Sequence, residues 1–254
     1  MTIALAQNIT AVSFTAATSQ TANFGACQSQ SLLVALGSME HVSTTMTCSD
    51  DVNGSYTSDA FLNNGAGVNG SGSVGIFSVQ NTTTSSKVVT LTLGASTTGF
   101  LKIFELTNAE VSAAKDTSNT TGVNTGLGGA FSLSLTTGTN NCAIFSITTH
   151  YPAGTAVDSG YTSAFTETGL LSAYHFGEFN LDVGTAGTKT LTYNGYSSTD
   201  CHTGAAVAYK ANPNPFVARS PRGFDNKASL AIMASQRDDG KWDHAKSVDF
   251  WWGT

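Results

Sequence analysis

The sequence predicts an all-β protein, a β-sandwich or jelly roll built from two similar halves, followed by a C-terminal extension. Three observations predict this class: apolar residues that alternate with threonines, Asn-Gly turn signals, and a lack of long amphipathic helical patterns. The 254 residues suffice for one large all-β domain or two small ones. We place the sandwich body at residues 1–210 and the extension at residues 211–254.

The strands are predicted from two kinds of pattern. Val89, Leu91 and Leu93 alternate with threonines, which is the period of a half-buried strand. The run Leu32–Leu36 is continuously apolar, which predicts a strand covered on both faces or deep in a sandwich. Asn-Gly pairs supply the positive φ angles of tight hairpin turns and occur at four positions: Asn53-Gly54, Asn64-Gly65, Asn69-Gly70 and Asn194-Gly195.

Two segments between the halves have no strand pattern. Thr107–Lys115 is predicted to form one short helix that joins the halves. The segment from Asp116 to Gly129 is predicted to be a long polar loop, because it is rich in Thr, Ser, Asn and Gly.

A weak internal repeat relates residues 25–110 to residues 135–210. The matching segments are Leu32–Leu36 with Ala143–Ile147, Val88–Leu93 with Thr188–Tyr193, and Phe100–Leu106 with Gly204–Lys210. One sandwich made from two halves fits this repeat, and so do two tandem sandwiches of about 100 residues each. No Pro-rich linker separates the halves, and we favour the single sandwich.

The net charge and the tryptophan content of the chain change abruptly near residue 211. Residues 1–210 carry five Lys or Arg and twelve Asp or Glu, which gives a net charge of −7. Residues 211–254 carry six Lys or Arg and five Asp or Glu, which gives a net charge of +1. A body with that negative charge disfavours nucleic-acid binding, which depends on neutralising phosphates. All three tryptophans lie in the extension.

Trp and Arg are enriched where binding energy concentrates at protein interfaces, so the extension is predicted to dock on a partner. Its aromatics can instead fold back onto their own sandwich, or the segment can be disordered; the sequence leaves these alternatives open. The predicted interface residues are Arg219, Arg222, Leu230, Met233, Trp242, Phe250, Trp251 and Trp252.

No catalytic or metal-binding motif is present, so we expect no enzyme activity, no metal and no cofactor. The five histidines form no HxH or HExxH pair and are not expected to share a site: His41, His150, His175, His202 and His244. Asp50–Gly54 carries oxygen donors but lacks the later ligands of a calcium loop, so a turn with Asx hydrogen bonds is expected.

The cysteines and the hydropathy indicate where the protein functions. Cys27, Cys48, Cys142 and Cys201 form no CxxC pair; buried free thiols are expected, and two disulfides are the alternative. Met1–Ala6 lacks the cationic start of a signal peptide, and no apolar run approaches the roughly eighteen residues of a membrane span. We therefore expect no membrane partner, and release by lysis or within a particle if the protein acts outside a cell.

Residues 25–210 resemble a loosely defined group of phage and prophage β-sandwich proteins encoded among virion structural genes. The resemblance lies in an apolar strand, a polar Gly-x-Tyr-Thr turn, a Val-Thr-Leu-Thr strand and an apolar strand containing Glu: Leu32–Leu36, Asp51–Thr57, Val89–Leu93 and Ile103–Leu106. It implies a non-enzymatic virion component, a capsid decoration or tail protein.

Such a protein is made in the host cytoplasm and carried in the virion, with other virion proteins or copies of itself as partners. The alternative function is a glycan-binding attachment module. In that case exposed tyrosines, namely Tyr56, Tyr161 or Tyr196, would stack on sugar rings.

Overall fold

The structure is a computed structural model that describes residues 2–40, 44–64, 72–123, 131–151, 157–170, 173–193 and 201–213. All regular secondary structure in these ranges is β-strand, which confirms the predicted all-β class. The described residues belong to one compact unit, Met1–Pro215. Within them, no helix has the length and hydropathy needed to span a membrane.

The described residues form fifteen strands, eight in the first half and seven in the second. The first half contains β1 (Ala4–Asn8), β2 (Val12–Phe24), β3 (Ser31–Glu40), β4 (Met46–Asp50), β5 (Gly54–Ser55), β6 (Thr57–Asn63), β7 (Gly72–Asn81) and β8 (Lys87–Thr107). The second half contains β9 (Lys115–Val123), β10 (Phe131–Thr137), β11 (Ala143–Tyr151), β12 (Thr162–Leu170), β13 (Ala173–Asn180), β14 (Gly187–Tyr193) and β15 (Cys201–Tyr209).

The two halves have the same strand order. In the first half the central strands run β1-β8-β3-β7-β6, and in the second half they run β9-β15-β11-β13-β12, with every pairing antiparallel. The beginning of β8 pairs with β2 and β4 in an outer layer, while its end pairs with β1 and β3 in the central layer. In the second half, β10 and β14 form the outer layer as a separate two-stranded sheet.

The segments matched in the sequence repeat occupy matching places, with one shift of register. Val34 lies opposite Phe104 in the first half, and Phe145 lies opposite Val207 in the second. Phe104 therefore corresponds to Val207, whereas the sequence alignment had matched it with Ala208. The one-residue error reverses the faces of the strand, because neighbouring side chains point to opposite sides.

Among the residues that the structure describes, three clusters of buried side chains lie between the layers. The inner core lies between the two central sheets, where Phe104 packs edge-on against Phe145 and Phe179 at 5.0 and 5.3 Å. The first outer core lies beneath β2, β4 and the beginning of β8. The second outer core lies beneath β10 and β14. Strand β3 contributes to two cores, which explains its continuously apolar sequence and confirms the prediction for Leu32–Leu36.

Both predictions for the segments that follow β8 were wrong. Thr107–Lys115 is not a helix, because its backbone bonds to residues 210–212 instead of to itself: Glu110 N donates to Lys210 O at 2.9 Å, and Lys210 N donates to Ala114 O at 2.8 Å. The predicted polar loop contains β9, whose backbone pairs with β15. An edge strand needs no alternation of apolar residues when its stabilisation comes mainly from backbone pairing. The polar sequence of β9 therefore gave no strand signal.

The three cysteines whose side chains the structure describes are buried free thiols, as predicted. Cys27, Cys48 and Cys142 are free and buried, which confirms buried thiols at these three positions. Burial raises the pKa of Cys27 to about 11 and that of Cys48 to about 12, with nearby carboxylates adding to the effect. These thiols therefore stay protonated and poorly nucleophilic near neutral pH. The side chain of Cys201 lies outside the described part.

Candidate functional site

Two histidines that are far apart in the sequence meet in the structure. His150 on β11 and His202 on β15 are direct partners across the two strands, so their side chains share one face. Both are buried, at 2 % and 4 % exposure. Fifty-odd residues separate them in the chain, and only the pairing of β11 with β15 brings them together.

The pair lies at one end of the second outer core, among aromatic rings. The His202 ring stacks in parallel on Phe131 with 3.8 Å between centroids, and Phe131 stacks in turn on Tyr193 at 4.6 Å. Burial lowers the pKa of His202 to about 4. Burial, with His175 and His202 nearby, lowers the pKa of His150 to about 3. Both imidazoles are therefore neutral at pH 7.

Within the described ranges, no group of three or more His, Cys, Asp or Glu side chains is placed to hold a metal ion. The Nδ1 atom of His150 lies 3.2 Å from the hydroxyl of Thr148. The two histidines are thus neutral polar side chains buried in the second outer core, beneath β10 and β14.

His175 lies on the opposite face of the same sheet, within the contact between the halves. Its Nδ1 atom lies 2.8 Å from Ser38 Oγ, and its Nε2 atom lies 3.5 Å from Glu40 Oε1. This Ser–His–Glu series contains the residue types of a hydrolytic triad, but with the two ring nitrogens exchanged relative to that arrangement. Ser38 is fully buried, so in this conformation a substrate cannot reach its hydroxyl. The series joins β3 of one half to β13 of the other.

A buried carboxylate anchors the turn that precedes β12. Glu178 Oε2 accepts a hydrogen bond from Asp158 N at 2.9 Å, and Asp158 Oδ2 accepts one from Thr192 N at 2.6 Å. Burial raises the pKa of Glu178 to about 7, and the charge of Asp158 adds to this, while the bond from Asp158 N opposes it. The two carboxylates thus link β13, the turn and β14.

An open cleft of about 330 Å³ lies beside this turn. Its lining residues include an aromatic residue and residues that carry amide, carboxylate, hydroxyl and ammonium groups: Tyr161, Asn180, Asp182, Thr188, Lys189 and Thr190. Tyr161 is half-buried and packs against the second outer core. We call this site the Tyr161 cleft. Of its residues, sequence reasoning had named only Tyr161; the others come from β13, β14 and the turn between them.

The predicted Asx turn is confirmed. Asp50 Oδ1 accepts hydrogen bonds from the backbone of Val52 and Asn53, and Oδ2 accepts from Asn53 Nδ2 at 2.8 Å and from the Tyr56 hydroxyl at 3.0 Å. Gly54 takes a φ of +78°, which a residue without Cβ adopts without strain. Both oxygens of Asp50 thus serve the turn.

Tyr56 does not have the role that the glycan hypothesis gave it. It is only 7 % exposed, since its ring fills the first outer core and its hydroxyl bonds to Asp50. It therefore cannot stack on a sugar. Tyr196, His41 and His244 lie outside the described residues.

The predicted partner interface also lies outside the described residues: Arg219, Arg222, Leu230, Met233, Trp242, Phe250, Trp251 and Trp252. The docking of the extension therefore remains a prediction from sequence. Comparisons of the chain with protein-family models, with curated proteins and with solved structures found no match.

Proposed function

We propose that this chain is a non-enzymatic structural protein of a virus particle, a capsid decoration or tail component. It assembles with other virion proteins or with copies of itself through residues 211–254. The observation that carries the proposal is the partition of the sequence: all three tryptophans and six of the eleven cations lie in the extension. Aromatic and Arg side chains of this kind supply most of the binding energy at protein interfaces.

The body is suited to a rigid scaffold. Its middle strands β3, β7, β11 and β15 are almost fully buried, and buried polar groups tie strands and halves together. Glu105, for example, accepts hydrogen bonds from Gln7 Nε2 and Ser31 Oγ, both at 2.7 Å. Such a body opens locally only at a high free-energy cost, which suits a protein exposed to proteases.

The assignment to a virion is supported by the resemblance of residues 25–210 to phage and prophage structural proteins. The sequence segments that carry the resemblance lie in β3, in both parts of β8 and in the turn after β4. The low charge content, 11 % of residues, also fits a body whose solubility depends on Thr, Ser and Asn.

The test compares the full chain with a chain that ends at Asn212. We expect the shortened body to unfold cooperatively, as the full chain does, but to lose its place in large assemblies measured by sedimentation velocity and by co-purification with particles. In the full chain, the double variant Trp251→Ala, Trp252→Ala should reproduce the loss. Val52→Ala, at a body residue that is 42 % exposed, is the control and should assemble normally. Unchanged assembly of the shortened chain would refute the proposal.

A further inference from the structure

The Tyr161 cleft has the composition of a site for a neutral, hydroxyl-rich ligand. Among its lining residues, Asp182 carries a carboxylate and Lys189 an ammonium group, and the carboxylates of Asp158 and Glu178 lie near Tyr161. A phosphate or another anionic ligand would therefore gain no net attraction there. Sugar hydroxyls both donate and accept hydrogen bonds, and the cleft offers partners of both kinds.

Two polar side chains of the cleft are already fixed by one hydrogen bond and can form further hydrogen bonds through another atom. Asn180 Oδ1 accepts a hydrogen bond from Asp182 N at 2.9 Å, and Asp182 Oδ1 accepts one from Gly184 N at 3.0 Å. Among the described residues, Asn180 Nδ2, Asp182 Oδ2 and Lys189 Nζ make no hydrogen bond to the protein. Side chains fixed by one bond lose less conformational entropy when they bind a ligand through another atom.

Tyr161 supplies the apolar part of the cleft. Its ring is anchored against the second outer core but remains half-buried at the surface. Burial, together with Glu178 and Asp158, raises the pKa of its hydroxyl, which therefore stays protonated and able to donate. An aromatic ring beside convergent polar groups is a common arrangement in small-ligand sites.

A strip of hydroxyl groups runs from the cleft across the outer face of β10 and β14. Thr188 pairs with Thr136 at 3.2 Å between hydroxyl oxygens, and Thr190 pairs with Ser134 at 3.0 Å. These four side chains are exposed and uncharged. The outer face beside the cleft is thus polar and uncharged.

We propose that the Tyr161 cleft binds a neutral oligosaccharide, with Tyr161 against a sugar ring and with Asn180, Asp182 and Lys189 bonded to its hydroxyls. The cleft volume, at the lower end of the roughly 300–1,000 Å³ of ligand sites, suits one or two sugar units. The site lies in residues 161–190, whereas the assembly role concerns residues 211–254. Each proposal can therefore fail without the other.

The test is calorimetric titration of the full chain with neutral hexasaccharides built from glucose or N-acetylglucosamine, and with acidic oligogalacturonates. We expect saturable binding of at least one neutral sugar at millimolar concentration or below. Tyr161→Ala should weaken it about tenfold or more, and Lys189→Ala about threefold or more, the loss expected for one hydrogen bond. Thr92→Ala, on the outer face of the other half, is the control and should leave affinity unchanged.

Thermal unfolding of each variant checks that it is folded, and Tyr161→Phe keeps the ring if Tyr161→Ala does not fold. The phenylalanine variant should retain most of the affinity. Three results would overturn the proposal: no neutral sugar saturates, only acidic sugars bind, or folded Tyr161 and Lys189 variants bind as the unaltered chain does.

Discussion

The hydroxyl of Tyr209 donates a 2.8 Å hydrogen bond to Asp59 Oδ2 and thereby joins β15 of the second half to β6 of the first. Both residues are buried, and Ser78 donates to the same carboxylate oxygen. The bond lies in the contact between the halves. With the Ser38–His175–Glu40 series and the bond from Thr203 Oγ1 to Gly72 O, it helps to fix the relative position of the two sheets.

Tyr209→Phe should therefore destabilise the protein by about 1.5–3 kcal/mol, the range for a buried hydrogen bond to a charged group. Tyr193→Phe is the matched control, because it removes a 2.7 Å bond to the neutral Ser146 hydroxyl within one half. We expect the control to lose about 1 kcal/mol. Denaturant unfolding measures both; equal losses would show that the bond between the halves has no special role.

The buried histidines should make the protein sensitive to acid. Their folded pKa values, about 3 for His150 and about 4 for His202, lie below the ordinary value of 6.5. As the pH falls below 6.5, these histidines become protonated in the unfolded chain but stay neutral in the folded chain. The free energy of unfolding therefore falls until the pH reaches the folded pKa values. Acid unfolding should thus begin at the second outer core.

His150→Met tests this prediction, because the first half has Met39 at the matching position of β3. The unaltered chain loses stability as His150 resists protonation, and the variant lacks this contribution. When the pH is lowered from 7 to 4, the free energy of unfolding of the variant should therefore rise by up to about 3 kcal/mol relative to that of the unaltered chain. Urea unfolding at a series of pH values measures the difference. A pH profile parallel to that of the unaltered chain would contradict the prediction.

Glu178 should have the opposite dependence on pH. Its folded pKa of about 7 lies above the ordinary 4.5, so its ionisation costs stability as the pH rises from 4.5 to 7, and the full cost remains above pH 7. Glu178→Gln keeps an oxygen to accept from Asp158 N. It should stabilise the protein by about 1–2 kcal/mol more at pH 8 than at pH 4.5. An equal effect at the two pH values would disprove the prediction.

Gly99 is required by the close approach of β8 to β3. A Cβ atom there would lie 2.0 Å from the carbonyl oxygen of Ser38 and 2.8 Å from Phe14 Cζ. Gly99→Ala should therefore cost about 1–3 kcal/mol or more through overpacking. Gly138→Ala is the control, since its Cβ would meet only Asp116 Oδ1 at 3.5 Å. Thermal unfolding should separate the two, and similar melting temperatures would show that β8 moves away freely.

Part of the candidate site could be predicted from the sequence, but its assembly could not. Tyr161 was named for sugar stacking because aromatic residues serve that purpose. Asn180, Asp182 and Lys189 carried no signal, since they come from strand ends and a turn whose proximity depends on pairing. Tyr56, named for the same reason as Tyr161, proved to be a core residue because its ring and hydroxyl both find partners inside the fold.

The sequence by itself determined the all-β class, the alternating strand at Val89–Leu93, the doubly covered strand at Leu32–Leu36 and the turn at Asn53-Gly54. Each depends on residues close together in the chain, whose spacing or backbone preference is a local property. Only the tertiary structure decided that β9 is an edge strand, that His150 meets His202, and which face of β15 points inward. These features depend on the pairing of distant strands, and a shift of one residue in that pairing exchanges buried and exposed side chains without changing any local preference.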